Sequence, residues 1–224
     1  MTTKQNMELI YQRLLDRYGP QHWWPADEPF EVIIGAILTQ STAWGNVEKA
    51  IGNLKKAGAL NPIAIRELPV DDLAILIRPS GYYNAKARKL KAFVERLSES
   101  YGGSLEKLFA LDTPNLREEL LSIYGIGQET ADSVILYAAQ KPMFVIDAYT
   151  HRITNRLGLH PDKNSYAALQ ALFMDNLPGD EKLFNEYHAL LVCLGKNACR
   201  KHPVCHECCL DTICGFRADQ GNLV

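Results

Sequence analysis

LREELLSIYGIGQETADSVILYAA, residues 116–139, is the stretch from which the chain is best read. An apolar helix runs into Gly125-Ile126-Gly127, and a second helix opens at once with Gln128 and Glu129 in its first turn. Two glycines allow a tight turn with positive φ and let another backbone approach closely. The N–H groups at the start of the second helix then offer an anion site suited to a phosphate. Ile126 is placed to pack between the two helices. An ordinary helix–helix turn has the same pattern, so the hairpin takes its meaning from what surrounds it.

Twenty residues beyond Gly127 lies Asp147, in Val145-Ile146-Asp147-Ala148-Tyr149-Thr150-His151-Arg152, with Asn155-Arg156-Leu157-Gly158 following. An apolar connector thus delivers a carboxylate to the start of a helix whose later turns carry arginines. Asp147 serves as a plain N-cap on one reading. On the other it stands at the mouth of a cleft, beside a phosphate-binding hairpin.

Elsewhere helical periodicity dominates. Met7, Ile10, Tyr11, Leu14 and Leu15 share one face of 5–18 at three- and four-residue steps. Similar stripes recur over 29–41, 46–56, 84–98, 115–122, 129–139, 148–157, 165–175 and 181–194. Arg78-Pro79-Ser80-Gly81, Tyr101-Gly102-Gly103-Ser104 and Asp112-Thr113-Pro114 punctuate them. Met143-Phe144-Val145-Ile146 is too short and too isolated for a strand and is expected as an extended connector. The predicted class is all-α.

With 224 residues, 47% hydrophobic and 22% charged, the chain has the composition of an ordinary globular protein with enough length for a core. No apolar run reaches the roughly 18 residues that span a bilayer. The opening MTTKQNMELIYQRLLDRYG carries charges throughout, unlike a secretory signal, so an intracellular protein is expected. A formal net charge of −2 gives no bulk argument for nucleic acid. Any such binding has to come from local geometry. All six cysteines lie between 193 and 214. Without an export signal, that clustering points to a metal site before disulfides.

Taken together, the hairpin and the apolar connector ending in Asp147 resemble the helix-hairpin-helix glycosylase superfamily, to which endonuclease III belongs. The family's essential Asp matches Asp147. The likeness extends over nearly the whole chain, through Gly35-Ala36-Ile37-Leu38-Thr39-Gln40-Ser41-Thr42, Gly81-Tyr82-Tyr83-Asn84-Ala85-Lys86-Ala87 and the cysteine tail. It implies a base-excision enzyme acting on double-stranded DNA that contains a damaged base, monomeric and nucleoid-associated. It further implies two helical domains around a DNA-binding cleft. Residues 28–140 form one, with the hairpin at 116–139; residues 1–27 and 141–224 form the other, with a loop at 199–214.

In bifunctional members a lysine of the second hairpin helix forms a Schiff base, in a motif resembling GxGxKTA. Here Gly125-Ile126-Gly127-Gln128-Glu129-Thr130-Ala131 puts Glu129 at that position. A carboxylate cannot form an imine, so a monofunctional enzyme is expected unless another lysine, such as Lys141 or Lys196, substitutes. Trp23-Trp24-Pro25, Trp44 behind Leu38-Thr39-Gln40-Ser41-Thr42, and Arg78-Pro79-Ser80-Gly81-Tyr82 look like the 3-methyladenine glycosylases of the endonuclease III-like branch. An alkylated purine carries positive charge, and an indole face attracts a delocalised cation. Trp24 and Trp44 are therefore the candidate pocket walls, with Pro25, Gln40 and Glu129 as further lining. Core packing is the plain alternative for each tryptophan. Tyr82 matches the family's wedge position, and Gly125, Ile126, Gly127, Gln128, Lys86, Arg200 and Lys201 complete the candidate DNA contacts.

Cys199-x5-Cys205-x2-Cys208-x5-Cys214 resembles the family's Cys-x6-Cys-x2-Cys-x5-Cys, which holds a 4Fe–4S cluster, with one residue fewer in the first gap. Four thiolates also suit tetrahedral zinc, which stays the alternative. Three other readings stand beside the alkylpurine one. They are a glycosylase for oxidised or mismatched bases, a redox-sensing DNA-binding protein, and a zinc-stabilised interaction domain.

Overall fold

The computed structural model describes residues 2–159 and 165–217. Among these residues there is helix and no strand. The helices are α1 Thr3–Tyr18, α2 Pro29–Leu38, α3 Trp44–Lys56, α4 Pro62–Glu67, α5 Val70–Leu76, α6 Tyr83–Tyr101, α7 Leu105–Phe109, α8 Thr113–Ser122, α9 Gln128–Ser133, α10 Ala148–Leu157, α11 Tyr166–Met174 and α12 Glu181–Asn197. No helix among the described residues is long and apolar enough to cross a membrane.

The chain divides into two compact units, Trp24–Lys141 and Met1–Trp23 with Pro142–Val224. In the Trp24–Lys141 unit, α2 is the central helix. Every residue from Phe30 to Leu38 is buried, the pattern of a helix covered on all sides. Its single buried charge, Glu31, is met by Lys55 Nζ at 2.9 Å. The unit begins at Trp24, whose indole lies on Gly35 of α2, where an added Cβ would stand 3.1 Å from Trp24 Cζ2. The segment 60–77, with no stripe of its own, folds as α4 and α5. Each is too short to display a helical period, and α5 packs on α6.

The second hairpin helix departs from a plain α-helix. α9 passes into a π-helical turn over Val134–Ala138, and every residue of that turn is buried. The turn packs against α2 and sets Tyr137 beside Trp24, ring centroids 5.2 Å apart. π-Turns inside helices often sit at functional sites. No sequence signal distinguishes this one from ordinary helix.

In the other unit the core is aromatic. Phe144 stacks on Phe173 at 3.9 Å, with Phe184 and Tyr187 edge-on around them. Gln170 Nε2 donates at 2.7 Å to Phe144 O in the extended connector, which is buried from Met143 to Ile146. Tyr187 Oη donates to Met7 O at 2.9 Å, tying α1 to α12. α10 packs on α12 by close approach. A Cβ on Gly195 would fall 2.3 Å from Tyr149 Cδ1, so only glycine admits that ring.

Candidate active site

Asp147 is the N-cap of α10. Its Oδ1 accepts from Thr150 N at 2.7 Å, and the side chain is largely covered. The cap orients the carboxylate at the positive end of the helix, where negative charge is favoured. Its other oxygen, Oδ2, stands 3.7 Å from Nε2 of His188 on α12. Burial pushes the His188 imidazole below its ordinary pKa, against the opposing pull of the Asp147 charge. His188 belongs to none of the sequence motifs. A histidine among apolar residues on a core helix gives no sequence sign that a carboxylate will meet it.

The hairpin turn carries positive φ at one glycine, not two. Gly125 sits at φ 81°, whereas Gly127 is extended and caps α9. The left-handed geometry suits a residue without Cβ. A Cβ on Gly125 would also strike the Lys89 stem, whose Cγ stands 2.3 Å from that point. Ile126 is buried, and Gln128 and Glu129 are exposed. Gln40 does not offer its amide to a base pocket. Its Nε2 donates to Gly125 O at 3.1 Å and to Thr130 Oγ1 at 2.9 Å, while Oε1 accepts from Lys89 Nζ. With both amide hydrogens committed, Gln40 is a brace for the hairpin.

Trp24 and Trp44 meet edge to face, centroids 5.2 Å apart at 84°. A flat ring sandwiched between two walls would need about 7 Å, two van der Waals separations. The indoles therefore form one aromatic group with Tyr137, rather than opposed walls. Trp44 Nε1 donates to Glu48 Oε1 at 2.9 Å, which orients its ring, and Pro25 is exposed.

Lys86 is not available to a phosphate. It is 2% exposed, and its Nζ donates to Leu38 O at 2.8 Å, Thr42 Oγ1 at 3.0 Å and Ser80 O at 2.6 Å. The ammonium stitches the end of α2 to the loop before α6. That loop ends on Gly81 and Tyr82, both at positive φ, and Tyr82 is 75% exposed. Tyr124, 61% exposed in the hairpin turn, is a second outward aromatic that no motif had marked.

Cys199, Cys205, Cys208 and Cys214 line a single cavity with Arg156 and Phe216. Burial pushes the Cys208 thiol up to about 11, with Cys209, Cys199 and Cys214 adding to the rise. Such a group of thiols ionises readily only when a cationic centre neutralises it. Among the described residues no three of His, Cys, Asp or Glu are grouped as ligands of a single metal ion. α10 braces this loop. Arg152 Nε donates to Cys199 O at 2.9 Å, and Arg156 donates to Arg200 O at 2.6 Å, Lys201 O at 3.0 Å and Cys199 Sγ at 3.3 Å. Arg200 and Lys201 themselves are exposed. At the far side, Arg13 of α1 donates to Thr212 Oγ1 at 2.6 Å.

Residues 34–179 match the family described as HhH-GPD superfamily base excision DNA repair protein. A chain of Methanocaldococcus jannaschii, provisionally described as a DNA repair glycosylase, is 48% identical over 92% of this chain and 94% of its own length. Endonuclease III of Thermotoga maritima is 31% identical over 96% of this chain and 95% of its own. Among solved structures, the H. pylori 3-methyladenine DNA glycosylase bound to 1,N6-ethenoadenine is similar, with TM-score 0.72 and 29% identity, covering 88% of this chain and 98% of that one.

Proposed function

The chain belongs to the HhH-GPD superfamily of base excision DNA repair proteins, and from that premise we propose that it removes alkylated purines such as 3-methyladenine from double-stranded DNA without cutting the backbone. It is a DNA glycosylase of the endonuclease III-like kind. The observation that carries the alkylpurine reading is the aromatic group in which Trp24, seated on Gly35, meets Trp44 and Tyr137. An extruded base with delocalised positive charge is attracted to the face of an indole. The likeness to a 3-methyladenine glycosylase supports the same reading.

The reaction breaks the bond between C1′ and the purine nitrogen. The bonding electrons pass to the base and cancel its positive charge, so no acid is needed. Positive charge develops on the sugar, where the Asp147 carboxylate stabilises it. Water then adds to C1′ and Asp147 takes its proton. The hairpin N–H groups at Gly127 and Gln128, with Tyr82, Arg200 and Lys201, are assigned to the DNA backbone and the vacated stack. Glu129, in place of an imine-forming lysine, supports water as the sole nucleophile.

A 4Fe–4S cluster on Cys199, Cys205, Cys208 and Cys214 is the assigned occupant, supported by four thiols lining one cavity and by the cysteine spacing. When bound it supplies the cross-links that order the loop. The purified protein is expected to be brown, to lose its visible absorbance on Cys205→Ser, and to keep it on Cys193→Ser and Cys209→Ser. A colourless protein carrying stoichiometric zinc would replace the cluster with the zinc reading.

The identity to endonuclease III favours a second reading, in which the same Asp147 serves a base that is not alkylated. A panel of duplexes separates the two. They carry 3-methyladenine, 7-methylguanine, thymine glycol, uracil, or adenine opposite 8-oxoguanine, each assayed with and without alkali. Methylpurine release, with strand breaks only after alkali, is the expected result. Alkali-independent breaks at thymine glycol would sink both the substrate and the monofunctional assignments.

A further inference from the structure

Asp147 and His188 come together because α10 and α12 pack tightly. Gly195 admits the Tyr149 ring, and Arg152 Nη2 donates to Gly195 O at 3.2 Å. His188 lies seven residues before Gly195, two helical turns along the same face. That register sets Nε2 3.7 Å from Asp147 Oδ2, while Oδ1 is held by Thr150 N. Catalytic hydrogen bonds are often long in the free enzyme and tighten in the substrate complex.

We infer that His188 is a positioning residue for the glycosylase reaction, its Nε2–H directed at Asp147 Oδ2 so that both carboxylate oxygens are fixed from opposite sides. The inference rests on Asp147 being the reaction's carboxylate. The ring is enclosed, with Phe144 edge-on at 6.4 Å, and the Asp147 charge acts on it. Burial keeps the imidazole neutral near neutral pH. Neutrality matters because an imidazolium would spend the carboxylate's charge that the developing sugar cation needs. A neutral donor orients the carboxylate without discharging it.

The test compares His188→Leu, His188→Gln and Asp147→Asn, alone and combined, in single-turnover base release and in duplex binding. The duplex is the one released fastest in the panel above. His188→Leu is expected to slow release about 10–10²-fold, the cost of a carboxylate out of place, with binding unchanged. His188→Gln, whose amide N–H reaches where Nε2 stood, should recover most of that loss. In an Asp147→Asn background His188→Leu should cost nothing further, since the histidine acts through that carboxylate. Independently of activity, imidazole 15N NMR should show His188 protonated at Nε2, with a resonance that moves in Asp147→Asn. Full activity of His188→Leu beside an inactive Asp147→Asn overturns the inference and leaves the Asp147 assignment standing. Full activity of Asp147→Asn overturns both. A loss additive with Asp147→Asn, or an Nδ1–H tautomer, reduces His188 to a packing residue.

Discussion

Asp147→Asn is expected to lower single-turnover base release by about 10²–10⁴-fold, the range for losing a positioned acid–base group, while duplex binding stays as it was. The substitution is selective because the two jobs of this side chain separate. As N-cap, its Oδ1 accepts from Thr150 N, and asparagine caps helices as well as aspartate does. α10 should therefore keep its start, and the Arg152 and Arg156 contacts to the cysteine loop their place. What asparagine lacks is the negative charge opposite the developing sugar cation and the ability to take a proton from water. A thermal midpoint close to wild type with the rate lost is the signature. A rate within threefold of wild type would mean that Asp147 is only a cap, and the catalytic assignment would have to move elsewhere.

Lys86→Met should destabilise the Trp24–Lys141 unit by about 3 kcal/mol, because it strands buried carbonyls that a charged donor had satisfied. That loss corresponds to roughly 6–12 °C in midpoint for a chain of this size. Methionine fills much of the volume, so the loss reports on Leu38 O and Ser80 O losing their donor rather than on a cavity. Burial, and then the like charge of Lys89, lower the Lys86 ammonium to about 8. Between about pH 8 and the ordinary lysine range the unfolded chain thus binds more protons here than the folded one. Stability from this group grows as pH rises through that window and is lost as pH falls through 8. The margin of wild type over Lys86→Met should therefore widen on the alkaline side. Differential scanning calorimetry at neutral and alkaline pH checks both claims. A midpoint unchanged at both would show that water replaces the ammonium at no cost.

These two residues mark the limits of what motif reading reaches. Asp147 could be singled out because an apolar connector, a cap residue and a helix with arginines follow one another along the chain. Lys86 sits in an equally recognisable motif, with Arg88 and Lys89 close behind it, and the sequence alone puts it among the DNA contacts. The error has a physical source. The acceptors of Lys86 lie 48, 44 and 6 residues away in sequence, and nothing local announces that α2 will end beside it. Gln40 shows the same limit, since its partners lie 85 and 90 residues on, in the hairpin.

By itself the sequence determined much of what depends on neighbours along the chain. That includes the long helices from their apolar period, a tight hairpin turn from its two glycines, and the family from the order of its motifs. The cysteine spacing is equally local. The tertiary structure alone decided which polar groups are enclosed and what they meet. It made Lys86 a buried tie and Gln40 a brace, set Trp24 edge-on to Trp44, and brought His188 to Asp147. A side chain's periodicity reports whether its own backbone turns it inward. Its partner is chosen by the packing of segments that sequence distance does not order, and there a charge or an amide acquires its role.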